Sequence, residues 1–388
     1  MILGIDASNI SGGGGLTHLV ELLRASDPIS VGFHRVVVWS KGSTLLRIED
    51  RPWLVKVNLS VLEMGLFRRV LWQRFSLSKA AYAAQCDVLF VPGGSYAGSF
   101  RPMVTMSQNL LPFEWTELRR FGCTWLTIKL LLLRQTQART FRRADAVIFL
   151  TRHARDVVLK ITGALSCDTS IIPHGIRNVF ACSPREQVAM RQYSFNHPFR
   201  ILYVSIVDMY KHQWHVAEAV ALLRSEGLPV ELEMVGPFYP PAMNRLNRAL
   251  RRLDPSATYL KYVGEVPHEE MHLRYVRSDL ALFASSCETF GQIVTEAMSA
   301  GLPIACSNRS AMPELLRDSA VYFDPEDPRS IAEALRLLIA SPELRWEKAC
   351  AAFDRVQAYS WTRCANETFA ILGHLAKEYS KNLVKDIK

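Results

Sequence analysis

Twice along this chain, short apolar runs alternate with longer amphipathic stretches, and that rhythm admits few folds. It calls for parallel strands joined by helices that cover both faces of a sheet. In the first half, strands are expected at Ile2–Asp6, Arg35–Trp39, Leu54–Asn58, Asp87–Val91, Met103–Ser107, Ala146–Leu150 and Ser170–Pro173. Helices are expected over Leu16–Arg24, Leu66–Ala84 and Glu117–Arg143. A turn-rich stretch from Pro173-His174-Gly175 to His197-Pro198 interrupts the pattern and reads as a domain boundary. The rhythm then restarts, with strands at Arg200–Ser205, Val230–Gly236, Tyr259–Val263, Leu280–Ala284 and Pro303–Ser307. Its helices are expected at Gln213–Arg224, Ala242–Leu253, Pro267–Val276, Gly291–Ala300, Ser330–Ala340, Pro342–Tyr359 and from Trp361 toward Tyr379. The fold class is therefore α/β, with two doubly wound Rossmann-like domains. Such sheets bind ligands outside the carboxyl ends of their strands, near a topological switch point. Two of them facing each other would form a cleft.

The 388 residues, 49% apolar and 21% charged, supply two ordinary cores and exclude a disordered or collagen-like chain. The formal net charge of +9 is unevenly placed. Residues 1–177 hold 22 basic against 12 acidic side chains, a net of +10, whereas residues 178–388 hold 24 against 25, a net of −1. The first half is thus expected to face something anionic. Eight scattered cysteines form no C-x-x-C pair and no zinc-ligand spacing, which fits a reducing cytoplasm. The start, MILGIDASNI, lacks the apolar core of a secretory leader, and the apolar run Trp125–Leu133 is short and carries Lys129.

Two loop-helix junctions carry chemistry. Ser11-Gly12-Gly13-Gly14-Gly15 follows the first strand, where Gly13 and Gly14 would let the backbone approach a phosphate or sugar at a helix N-terminus. The plain alternative is a flexible turn. The nicotinamide fingerprint fits poorly, because Thr17 stands at its third glycine and Ser40-Lys41 follow the second strand. The second junction, Ser285-Ser286-Cys287-Glu288-Thr289-Phe290-Gly291, leads into a helix carrying Gln292, Ile293 and Glu296. A carboxylate accepts two hydrogen bonds and so suits vicinal hydroxyls of a sugar or ribose, while the helix N-terminus at Gly291–Ile293 favours phosphate. Taken singly, Glu296 would be a solvated helix residue and Glu288 a loop charge.

Glu288 and Glu296, with seven residues between them, match the E-x7-E motif of glycosyltransferase family 4, the retaining enzymes of GT-B fold. The surroundings resemble that family as well: Tyr262-Val263-Gly264-Glu265-Val266-Pro267, Glu296-Ala297-Met298-Ser299-Ala300-Gly301, Pro313-Glu314-Leu315, Val321-Tyr322-Phe323-Asp324-Pro325 and Ser360-Trp361. The resemblance is dense over 200–361. It implies an N-terminal acceptor-binding domain, 1–177, joined by a returning helix 361–388, and a nucleotide-sugar donor-binding domain, 178–360. It also implies that Glu288 contacts the donor sugar, that Glu296 binds the ribose, and that backbone amides of Thr289, Phe290 and Gly291 contact sugar and phosphates. Lys211, in Tyr203-Val204-Ser205-Ile206-Val207-Asp208-Met209-Tyr210-Lys211, matches the basic residue that holds the diphosphate and stabilises the departing charge.

Two positions depart from the pattern. Ile206 stands where relatives often have an arginine, and Ser107-Gln108-Asn109 stands where many carry a histidine facing the sugar. Gln108 or Asn109 would supply hydrogen bonds there, and His18 is a further candidate near the cleft; the plainer reading of His18, as of His153 and His174, is structural. No Asp-x-Asp motif is present, so a reaction without metal or other cofactor is expected, and Asp324-Pro325-Glu326-Asp327 reads as a surface turn. The expected activity is a metal-independent, retaining hexosyltransferase reaction. It moves a sugar from a nucleotide diphosphate sugar to a hydroxyl of a lipid-linked glycan, as in surface polysaccharide assembly including lipopolysaccharide. Arg68, Arg69, Arg74 and Lys79, interleaved with Phe67, Leu71, Trp72 and Phe75, would suit an anionic membrane surface, as would Arg119, Arg120, Lys129, Arg134, Arg139, Arg142 and Arg143. The equal alternative is a solvated helix face. The expected location is cytoplasmic, peripheral on the inner face of the membrane. Rival readings are a sugar-nucleotide epimerase or hydrolase on the same fold, a non-catalytic subunit that binds a nucleotide sugar, and a basic nucleic-acid-binding protein. The last lacks any recognition module, so no nucleic-acid partner is expected.

Overall fold

The computed structural model describes residues 1–386. The chain divides into two compact units, the first comprising residues 1–115, 123–175 and 359 onward, the second 116–122 and 176–358. Chain leaves the first unit at Gly175 and re-enters it at Tyr359. The short segment Thr116–Gly122, expected to open a long helix of the first domain, instead packs with the second unit.

The first unit is built on β1 (Ile2–Asp6), β2 (Arg35–Trp39), β3 (Leu54–Val57), β4 (Val88–Val91), β5 (Met103–Ser107), β6 (Ala146–Phe149) and β7 (Asp168–Ile171). They form one sheet in the order β3-β2-β1-β4-β5-β6-β7, every pair parallel. Strands β1, β4, β5 and β6 are buried along their whole length, as expected of central strands covered on both faces. Strand β7 lies two residues earlier than expected, because the apolar run Ile171-Ile172-Pro173 continues past the end of pairing. The expected helix over 66–84 is two, Leu66–Phe75 and Leu77–Ala83, broken at Ser76. Helix Arg152–Thr162, capped by the Thr151 side chain, was not expected. The long C-terminal helix Trp361–Asp386 packs on helix Gly13–Ala25 and beside β4; positions 387 and 388 of the expected returning helix lie outside the described residues.

The second unit repeats the plan with β8 (Phe199–Val204), β9 (Val230–Val235), β10 (Leu260–Gly264), β11 (Leu280–Phe283), β12 (Ile304–Ser307) and β13 (Val321–Phe323). The order β10-β9-β8-β11-β12-β13, again all parallel, puts the switch point between β8 and β11. Helices Gln213–Ser225 and Pro328–Ala340 pack against each other with buried aliphatic stripes, among them Val216, Val220, Ile331 and Leu335. A buried guanidinium pins the outer helices. Arg345 donates to the carbonyls of Leu338, Ile339 and Val188 and to Gln187, so its charge is taken up by hydrogen bonds rather than by a carboxylate.

Candidate functional site

The switch point of the second unit gathers two of the three charged residues that the motifs single out. The loop after β8 ends in Lys211, and the loop after β11 carries Glu288; their side chains form an ion pair, 8% and 17% exposed. Each loop is fixed by its own bonds. Tyr203 donates its hydroxyl to the carbonyl of Lys211, and the Ser286 amide donates to the carbonyl of Tyr210 at 2.9 Å, tying one loop to the other. Ser310 clasps the backbone of Glu288, accepting from its N–H at 2.8 Å and donating to its carbonyl at 2.9 Å. The Lys211 ammonium also sits 5.1 Å and 5.0 Å from the ring centres of Tyr210 and Phe283. Such rings hold a cation only weakly, so most of its compensation comes from Glu288.

Thr289 and Phe290 are buried, and Gly291 caps helix Gln292–Ser299 from the left-handed region, φ 101°. A Cβ there would lie 2.6 Å from the Met312 methyl, so glycine is needed both for the turn and for space. Gln292 and Ile293 open the helix and are half-buried. Glu296 is 1% exposed, not solvated as its helical position alone would suggest. Its two oxygens face His268 Nε2 and the Tyr275 hydroxyl, each at 3.0 Å. Arg177 Nη1 lies 3.2 Å from His268 Nδ1. A guanidinium only donates, so Nδ1 accepts from it and Nε2–H donates to Glu296. The hydrogen bond that His268 gives to the Glu296 carboxylate raises its pKa, against burial and the charge of Arg177.

Sequence reasoning missed His268, Tyr275 and Ser310. The one available signal was the position of His268, directly after Val263-Gly264-Glu265-Val266-Pro267. Arg120 was also misread: it is not a free surface charge of the first half but is bound within the second unit to Glu117 and Glu326. The acidic turn is likewise engaged, with Asp324 on Arg309 and Glu326 on Arg120.

In the first unit the glycine-rich turn enters helix Gly13–Ala25 three residues earlier than expected, so Gly13 and Gly14 belong to its first turn. Among the described residues no side chain caps that end, and a Cβ on Gly12, Gly13 or Gly14 would meet nothing within 4 Å. The turn therefore presents uncapped amides, as an anion or sugar contact requires. Gln108 donates to the carbonyl of Pro92 at 3.0 Å, while exposed Asn109 accepts from the Leu111 amide at 3.1 Å. His18 is completely buried. It stacks on His174 with ring centres 4.8 Å apart, and His174 stacks on Trp361 at 5.5 Å. Burial holds the His18 pKa well below its ordinary value, with a smaller push from His174. A neutral packing residue is what this structure makes of it.

Two doubly wound parallel sheets of seven and six strands make up a GT-B type α/β fold. Sucrose-phosphate synthase from Thermosynechococcus elongatus has the same architecture, with a TM-score of 0.74 at 16% identity over 98% of this chain and 100% of that one. Residues 187–352 match the family model described as glycosyl transferases group 1. Among curated proteins, the Escherichia coli O-antigen chain mannosyltransferase B is 26% identical over 234 residues, 59% of this chain and 57% of that protein. A Mycobacterium tuberculosis GDP-mannose-dependent alpha-(1-6)-phosphatidylinositol dimannoside mannosyltransferase is 28% identical over 242 residues, 62% of this chain and 60% of that protein. The matched stretches thus span under two thirds of these relatives. Together the matches support a glycosyltransferase.

Proposed function

We propose that this chain is a metal-independent, retaining hexosyltransferase of the family 4 type. It takes a nucleotide diphosphate sugar, with GDP-mannose the first candidate, and transfers the hexose to a hydroxyl of a lipid-linked glycan in surface polysaccharide synthesis. The observation that carries this reading is the buried Lys211–Glu288 pair at the switch point of the second unit. That pair lies within the stretch matched to the glycosyltransferase model. The mannosyl donor rests on the names of the two curated relatives.

In this scheme the donor diphosphate lies against Lys211 and the uncapped amides of Gln292 and Ile293, which stabilise the charge that grows as the glycosidic bond breaks. Glu288 turns from Lys211 to the sugar hydroxyls. Glu296, held by His268 and Tyr275, accepts from the ribose by giving up one of those partners. Retention then follows from attack on the same face as the departing phosphate, whose oxygen takes the acceptor proton, so no enzyme nucleophile is needed. A thermal-shift panel of UDP-, GDP-, ADP- and dTDP-sugars tests the donor. The cognate sugar nucleotide should raise the melting temperature by mass action, and no shift with any of them would refute the reading.

The acceptor partner is proposed to be membrane-borne, with the protein cytoplasmic and peripheral on an anionic inner leaflet. Helix Leu66–Phe75 exposes Phe67 at 75% and Phe75 at 65% beside Arg68 and Arg74, and helix Trp125–Arg143 exposes Trp125 at 74% with Ile128, Leu132 and nearby Lys129. Aromatic and basic side chains together suit a headgroup layer. No helix among the described residues is long and apolar enough to cross a membrane. Flotation with phosphatidylglycerol vesicles should carry wild type upward and leave Phe67→Ser/Phe75→Ser behind; wild type remaining below at moderate salt would remove the membrane partner.

A further inference from the structure

Residues Thr116–Gly122 belong to the second unit although residues of the first precede and follow them. Nothing in the motifs explains why seven residues should be lent in this way. Their chemistry does. Glu117 is a buried carboxylate, and its Oε2 accepts from the Ser286 hydroxyl at 2.7 Å and from Arg120 Nε at 2.7 Å. Arg120 Nη2 also reaches Glu117 Oε1 at 3.3 Å. The far side of the guanidinium is closed by Glu326, at 3.0 Å and 2.5 Å. Ser286 Oγ is in turn 2.9 Å from His212 Nε2.

Counting protons orients this chain. A serine hydroxyl has one proton, and the short contact to a carboxylate takes it. His212 Nε2 must then carry hydrogen and donate to Ser286, which leaves Nδ1 bare, and Nδ1 has no partner among the described residues. The order is His212 N–H to Ser286 O–H to Glu117 carboxylate to Arg120 to Glu326. Its first two members stand beside the residues that matter at the switch point: His212 adjoins Lys211, and Ser286 is two residues before Glu288. His212 holds a left-handed backbone, φ 53°, uncommon for a residue with a side chain. A conformation of that kind persists where its surroundings impose it.

We propose that Glu117 and Ser286 are positioning residues for the donor. The hydrogen-bonded chain from the Thr116–Gly122 segment sets the loops after β8 and β11, and so places Lys211 and Glu288 for a nucleoside diphosphate. This rests on the donor-binding reading above and names residues that the E-x7-E pattern does not contain. A segment lent only to complete the core would stabilise the unit without affecting how its two loops bind. One acting through the chain makes the hydroxyl of Ser286 specifically necessary.

The test uses the full chain and measures the Kd of UDP, GDP, ADP and dTDP by calorimetry, with the melting temperature recorded for each variant. Ser286→Ala should weaken the diphosphate that wild type binds best by at least ~10-fold, since a hydrogen bond to a charged group is worth about that much. Ser286→Thr, which keeps the hydroxyl, should return to within about threefold of wild type. Glu117→Gln should weaken binding similarly, and the double variant should be no weaker than either single, because both cut one chain. Wild-type affinity in Ser286→Ala, an equal loss in Ser286→Thr, or losses that multiply in the double variant would each overturn the proposal while leaving the donor reading intact. Wild type that binds none of the four diphosphates would overturn both.

Discussion

Removing Glu288 strands a buried lysine. Lys211 is 7% exposed in the intact protein, and in Glu288→Ala the faces of Tyr210 and Phe283 and the more distant charge of Asp208 are left to offset its charge. Breaking a buried ion pair by deleting one partner costs about 3–5 kcal/mol, far more than the pair itself contributes. The partial exposure of Glu288 and the two rings argue for the lower end, about 3 kcal/mol. The second unit holds roughly 190 residues, where each kcal/mol moves the melting temperature by about 2–4 °C, so its transition should fall by about 6–12 °C. Differential scanning calorimetry of wild type, Glu288→Ala, Lys211→Met and the double variant measures this directly. The double variant buries no charge and should recover most of the loss, giving a coupling of about 2–3 kcal/mol. A saturating nucleoside diphosphate should also raise the melting point of Glu288→Ala more than that of wild type, because phosphate then supplies the missing counter-charge. A Glu288→Ala protein melting within 2 °C of wild type, or a double variant no more stable than the single, would refute the reasoning.

Two further outcomes follow from buried groups. Burial, then the charge of Arg120, pushes the His212 pKa from 6.5 down to about 3. The folded protein therefore keeps the ring neutral, its contribution is complete above pH 6.5, and it is lost as pH falls toward 3, at about 1.4 kcal/mol per pH unit. By pH 5 urea titrations should show wild type losing about 2 kcal/mol more than His212→Asn, a replacement that tolerates the left-handed backbone; parallel pH profiles would exclude it. A Cβ on Gly175 would lie 2.1 Å from the Trp361 backbone nitrogen, whereas one on Gly12 meets nothing within 4 Å among the described residues. Gly175→Ala should cost the first unit about 3 kcal/mol in urea unfolding followed by tryptophan fluorescence, and Gly12→Ala under about 1; equal effects would contradict the packing.

Much of this architecture is legible because the strands are local and one-coloured. Arg35-Val36-Val37-Val38-Trp39 can hardly be anything but a covered strand, and its bounds match the observed β2. Glu288, Gly291 and Glu296 lie within nine positions, so a motif can hold them together. The rest depends on distance along the chain. Glu296 meets His268 across 28 residues, and Ser286 meets Glu117 across 169, with no local pattern to mark either pairing. The break at Ser76 is likewise silent, since Leu66–Ala84 keeps its amphipathic spacing through it. Helix Arg152–Thr162, by contrast, had readable signals: a Thr151 cap and apolar positions at 154, 157, 158 and 161.

The first unit is also the last part of the chain to be finished. Its seven strands have all been made by Ile171, yet helix Trp361–Asp386, which covers helix Gly13–Ala25 and brings Trp361 onto His174, emerges only after the second unit has been translated. At about 5–20 residues per second, the roughly 185 intervening residues take ~10–40 s. For that interval a nearly complete sheet waits on the ribosome with an uncovered apolar flank. A nascent chain stalled just short of Trp361 should thus be a better chaperone client than one that carries the last helix, and a stop codon there would leave the first unit without the helix that covers this flank.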